Sequence, residues 1–122
     1  MTQQHDNSLE DLQAMIREFS EERDWDQFHN PKDLSISIVL EATEVLEHFQ
    51  WKNHEEMYEH STDKKDDIGE ELADVLSYLL LLANKLNIDL AGAYKDKMKK
   101  NRAKYPVEKS KGNHKKYTEL AS

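Results

Sequence analysis

Cysteine is absent from this 122-residue chain, and glycine and proline are scarce, at three and two residues. Without thiols there can be no disulfide scaffold, no thiolate metal site and no cysteine nucleophile. Long segments free of both glycine and proline favour helices over strands. Long apolar runs are missing as well. The run Leu79–Ala83 stops at Asn84 and Lys85, far short of the roughly 20 residues that cross a bilayer as a helix. The N-terminal residues are polar and do not resemble a secretory leader. Together these absences point to a cytoplasmic protein without a membrane segment.

Of what is present, charge is the most uneven. The net charge is −8, yet residues 1–94 hold 22 acids against 7 Lys/Arg, while residues 95–122 hold 3 acids against 10. Two readings of the basic end stand: a solvated or nucleic-acid-binding segment, or a segment that folds back to supply cations to a polyphosphate. The acidity of the whole argues against a dedicated nucleic-acid binder. The length suits one domain. A hydrophobic fraction of 37% is modest, which suggests that some apolar surface is buried by self-association.

Periodicity predicts four main helices. Ser8 caps the first, which carries Leu9, Leu12, Met15, Ile16 and Phe19 as an apolar stripe and ends near Glu22. Residues 23–30 read as an aromatic loop before Pro31, which opens a second helix capped by Asn30 and running to about Trp51. Apolar residues cover most of that helix, so a central position is expected. Residues 53–65 read as a short exposed helix and linker. A third helix runs from near Asp66 to about Leu86, and Asp89 caps a fourth that reaches Tyr105. The expected organisation is a helical domain over residues 1–105 followed by an aperiodic basic tail over 106–122. His5, His54, His60 and His114 are expected at the surface.

Two acidic pairs stand out against this background: Glu41 with Glu44, and Glu71 with Asp74. Residues three apart share a helix face, so each pair directs two carboxylates the same way. Both pairs lie within apolar helices, where like charges resist burial unless a cation holds them. Four hard oxygen donors and no thiol suit Mg²⁺, with Mn²⁺ as a substitute. By contrast Glu55, Glu56 and Glu59 fit a solvated face. A di-iron carboxylate bundle would add Glu-x-x-His motifs, and no Glu here has a His three residues later.

Each acidic pair belongs to a longer stripe. Glu41, Glu44, His48 and Trp51 follow one another at spacings of three, four and three, and Asp67, Glu71, Asp74 and Tyr78 at four, three and four. Trp51, Tyr78, Trp25 and His29 fit either ordinary core or interface aromatics or a nucleobase stack. On the fourth helix Lys97, Asn101 and Lys104 share a face.

Glu41-x-x-Glu44, 26 intervening residues and Glu71-x-x-Asp74 resemble the metal motif of all-α MazG-type nucleotide pyrophosphohydrolases. Arg23–His29, Phe49-Gln50-Trp51, Asn101-Arg102, Tyr105-Pro106-Val107 and Lys116–Leu120 are similar to the dCTP pyrophosphatase subgroup of that family. The resemblance implies a four-helix-bundle-like fold assembled as a homo-oligomer, commonly a tetramer, with sites between chains. It also implies Mg²⁺ ligation by Glu41, Glu44, Glu71 and Asp74. A nucleotide pocket would be lined by Trp25, His29, Trp51 and Tyr78, with Lys97, Asn101, Lys104 and Tyr105 contacting substrate. The implied reaction is hydrolysis of a nucleoside triphosphate, dCTP foremost, to monophosphate and pyrophosphate. Two departures bear on base preference: Leu40 and Thr43 flank the first acidic pair where subgroup members often have small residues, and Ile16 stands where a His can reach the pocket. The rival expectation is a non-enzymatic helical interaction protein whose acids only solvate its surface.

Overall fold

A computed structural model describes residues 8–112, and these are all-α; no strand occurs among them. The chain divides between Ile88 and Asp89 into two compact units. The first contains α1 (Leu9–Glu22), α2 (Pro31–Glu47), α3 (His54–Asp63) and α4 (Lys65–Lys85). Within it α4 is the common partner. It packs most extensively on α2 and also contacts α1 and α3.

The helix starts follow local chemistry. The Ser8 hydroxyl accepts from the Asp11 N–H and caps α1, while the Asn30 side chain accepts from the Asp33 N–H ahead of Pro31. Asn53 and Glu56 form a reciprocal capping box at the start of α3. The short helix expected within residues 53–65 is thus present as the ten residues His54–Asp63.

The end of α2 departs from expectation. It stops at Glu47 rather than Trp51, and the next turns tighten, with the His48 N–H bonded to the Val45 carbonyl and the Phe49 N–H to that of Leu46. The reason is a side-chain anchor. His48 Nδ1 lies 2.7 Å from His60 Nε2 on α3, and the Phe49 ring meets the His60 ring edge to face at 6.1 Å. His60 is half-buried here, which corrects its expected surface position.

The core of the first unit centres on Leu34, Leu80 and Ala83. The central burial expected for α2 is not met within one chain: Ile36, Val39, Leu40 and Leu46 are all exposed, Val39 by 64%. Gln13 is buried and ties α1 to the end of α4. Its amide donates to the Asn84 side chain at 3.0 Å and to the Ile88 carbonyl, while Asn84 returns a bond to the Gln13 carbonyl at 2.9 Å.

The second unit holds α5 (Leu90–Lys104) and the single turn α6 (Val107–Ser110). Asp89 caps α5 by accepting from the Gly92 N–H. A Cβ at Gly92 would fall 2.6 Å from that carboxylate, so any larger residue there would push the capping side chain aside. Residues 106–110, expected to lack regular structure, thus contain a helical turn. The segment Lys116–Leu120, together with His5 and His114, lies outside the described residues.

Candidate active site

Glu41 on α2 and Glu71 on α4 face each other across the most extensive helix contact of the molecule, and Glu44 lies one turn beyond Glu41. One carboxylate oxygen from each of Glu41, Glu44 and Glu71 lies within 4.8 Å of the others. Asp74, one turn past Glu71, stays outside this triplet but is close enough for its charge to act on both Glu41 and Glu71. Among the described residues no other group of three or more such side chains could hold a metal.

The electrostatics of the cluster are those of crowded acids. A hydrogen bond with Glu44 is the main cause, followed by desolvation and the charges of Glu44, Glu41 and Asp74, that pushes the Glu71 carboxyl up to about 7. Glu41 is raised as well, first by desolvation, then by its hydrogen bond with Glu44 and the charges of Glu44 and Asp74. One oxygen of Glu41 and one of Glu71 are buried without a hydrogen-bond partner. Orphaned, converging carboxylate oxygens with no nitrogen or sulfur donor fit a hard divalent cation.

A cavity of about 350 Å³ begins beside this cluster and shares Asp74 with it. Three of the aromatic residues expected at a nucleotide site line it: Trp25, His29 and Tyr78. The loop before α2 sets the first two. The backbone N–H of Trp25 donates to the Ser20 carbonyl at 2.9 Å, and the Trp25 ring meets that of Phe19 edge to face at 5.6 Å. Lys85 reaches from α4 to Asp26 at 3.4 Å and holds the same loop down. Positive φ at Asp24 makes the tight bend that turns the loop back. His29 brings a buried Nδ1 that lacks a partner.

Not every expected residue gathers here. Trp51 is 87% exposed and does not line this cavity, because the tightened turns after Glu47 take it off the α2 stripe. Lys97, Asn101 and Lys104 lie on α5 and Tyr105 at its end, within the second unit. Ile16, expected beside the pocket, lines the cavity, as do Phe19 of the α1 apolar stripe and three residues with no expected role, Ser20, Ser77 and Leu81. Ser77 had a legible signal, since it falls three residues after Asp74 on the same helix face.

The chain as a whole is similar to known proteins. Residues 36–120 match the model of the MazG-like family. The chain belongs to the MazG-like family. It is 44% identical over 115 residues to dCTP pyrophosphatase 1 of Rattus norvegicus, covering 93% of this chain and 68% of the rat protein. Against dCTP pyrophosphatase 1 of Homo sapiens the identity is 42% over the same span. The crystal structure of a pyrophosphatase from Archaeoglobus fulgidus superposes with a TM-score of 0.76 at 41% identity, covering 87% of this chain and 99% of that one. The MazG-like membership inferred from the acidic motif is therefore upheld.

Proposed function

We infer that this protein is a nucleoside triphosphate pyrophosphohydrolase, with dCTP its foremost substrate, converting a deoxynucleoside triphosphate to the monophosphate and pyrophosphate. The observation that carries this reading is the acidic triplet Glu41, Glu44 and Glu71 opening, through Asp74, onto a cavity walled by Trp25, His29 and Tyr78. Carboxylates meet the phosphates and aromatic side chains meet the base.

We further propose that the four acids hold Mg²⁺, which Mn²⁺ can replace. The bound ion would neutralise phosphate oxygens and acidify a water. The chain's own residues do the remaining work. One of the clustered carboxylates accepts the proton of the attacking water. Trp25 and Tyr78 clamp the base so that the α-phosphorus is presented to that water. Water attacks the α-phosphorus and pyrophosphate leaves.

Lys97, Asn101, Lys104 and Tyr105 are proposed to contact the substrate, the lysines countering charge on the departing pyrophosphate. The proposed catalytic domain spans residues 1–105, with 106–122 a basic tail. The exposed apolar face of α2, Val39, Leu40 and Leu46 among it, supports a homotetramer in which Trp51 completes a pocket across chains. Among the described residues no single helix is long and apolar enough to cross a membrane, and the proposed setting is the cytoplasm.

The reading is tested by assaying pyrophosphate release from a panel of deoxy- and ribonucleoside triphosphates with Mg²⁺. Release from dCTP at a higher specificity constant than from the other bases is expected. No release from any of them would leave the rival reading of a helical interaction protein.

A further inference from the structure

Serine and threonine within these helices have a default partner. Ser35, Thr43, Ser61 and Thr62 each donate their hydroxyl to the carbonyl four residues back, at 2.6, 2.9, 2.7 and 3.2 Å. Ser20 on α1 and Ser77 on α4 do not. Both are helical, both line the cavity beside Asp74, and among the described residues neither hydroxyl has a hydrogen-bond partner.

Ser20 is only 4% exposed as a residue, yet its hydroxyl is not among the fully buried oxygens without a partner, so what exposure it keeps is at the oxygen. A ligand group entering the cavity can replace the water at that hydroxyl. Within the shared cavity Ile16, Phe19 and Leu81 supply no hydrogen-bonding side chain, although Ser20 also borders a second, polar cavity with Arg17, Asn84 and Lys85. Ser77 sits one turn along α4 from Asp74, which places it on the side of the cavity leading away from the acids. The Ser20 carbonyl also accepts from the backbone N–H of Trp25, which fixes the main chain of Trp25 next to Ser20, and both residues line the same cavity.

We propose that Ser20 and Ser77 are specificity-determining residues that hydrogen-bond the polar edge of the nucleobase stacked on Trp25. This rests on the pyrophosphohydrolase reading and adds to it the groups that read the base. A hydroxyl can donate or accept by rotation, so the pair matches a base edge carrying either group. A base that leaves either hydroxyl unpaired is rejected.

The test uses the full-length protein with Mg²⁺ and the four deoxynucleoside triphosphates, and compares wild type, S20A, S77A, the double variant and S77T. Removal of each hydroxyl is expected to lower kcat/KM for the preferred substrate about tenfold. The loss falls on KM with kcat nearly constant, because the contact is made equally in the bound ground state and the transition state. In the double variant the ratio of kcat/KM between the best and second-best base shrinks by a similar factor or more, while S77T retains most of the wild-type ratio. An unchanged ratio in the double variant, at an unchanged melting temperature, overturns the assignment. If the double variant does not fold, an unchanged ratio in both single variants overturns it equally. Failure of the wild type to release pyrophosphate from any of the four defeats the pyrophosphohydrolase reading itself, a different outcome from hydrolysis that ignores the two serines.

Discussion

His48 Nδ1 and His60 Nε2 approach to 2.7 Å, so a single shared proton joins the end of α2 to α3. Desolvation foremost, then the charges of Lys52, His48 and Lys64, hold the His60 imidazole below its ordinary value, with Asp63 opposing them. A lowered folded-state value means that the unfolded chain binds the proton more readily. The stability this pair contributes is complete above about pH 6.5 and is lost as the pH falls. The melting temperature should therefore decline on acidification below pH 6.5, and the decline should be shallower in His60→Gln. Parallel acid limbs in the two proteins would remove the pair from that role.

The acidic cluster bends the same curve in the other direction. The Glu71 carboxyl is raised to about 7 in the folded protein from an ordinary 4.5. Its contribution is complete below the unfolded value and is lost as the pH rises through about 7. Metal-free protein should accordingly melt lower at pH 8 than at pH 6, and Glu71→Gln should flatten that fall. Mg²⁺ competes with the proton for these oxygens, so its stabilising effect should be larger at pH 8 than at pH 6. Thermal melts at the two pH values with and without excess MgCl₂ check both statements.

The junction of α1 with α4 depends on one amide pair. Asn84→Ala removes the side-chain acceptor of Gln13 and of Arg17 and the second donor to the Gln13 backbone carbonyl, leaving the Gln13 amide only its bond to Ile88. A cost of about 1–3 kcal/mol is expected for the unpaired buried groups. Leu80→Ala, at a position 4% exposed, should cost about 2–5 kcal/mol. Urea titrations of both variants measure these values.

Trp25 lines the cavity and meets Phe19 at an interplanar angle of 75°, not as a parallel stack. Trp25→Ala should raise KM for the nucleotide by about tenfold or more, the equivalent of one lost base–aromatic stack. Steady-state kinetics on dCTP tests this, and an unaltered KM would take Trp25 out of the pocket.

Where the structure follows local rules, the sequence was a good guide. Ser8, Asn30 and Asp89 cap because each cap is decided within four residues of chain. Glu41, Glu44 and Glu71 converge because three-residue spacing fixes which face a side chain takes, and α2 and α4 pair along those faces. Contacts between separate elements were not legible. The His48–His60 bond spans a turn, yet it decides that α2 ends at Glu47 and that Trp51 leaves the acidic stripe. Hydropathy along α2 reported how apolar the helix is, not that Val39 and Leu40 would stay uncovered within one chain. Ser20 and Ser77 look like ordinary helical serines until their missing carbonyl partners are compared with those of Ser35 and Ser61.

The claim on which the account rests is that Glu41, Glu44, Glu71 and Asp74 together bind a divalent cation. The direct measurement is a Mn²⁺ titration at pH 8 followed by the electron paramagnetic resonance of the free ion, in wild type and in Glu71→Gln. The wild type should remove Mn²⁺ from solution saturably, and the substitution should weaken that binding by about tenfold or more. Equal binding by the two proteins, or none by either, would contradict it.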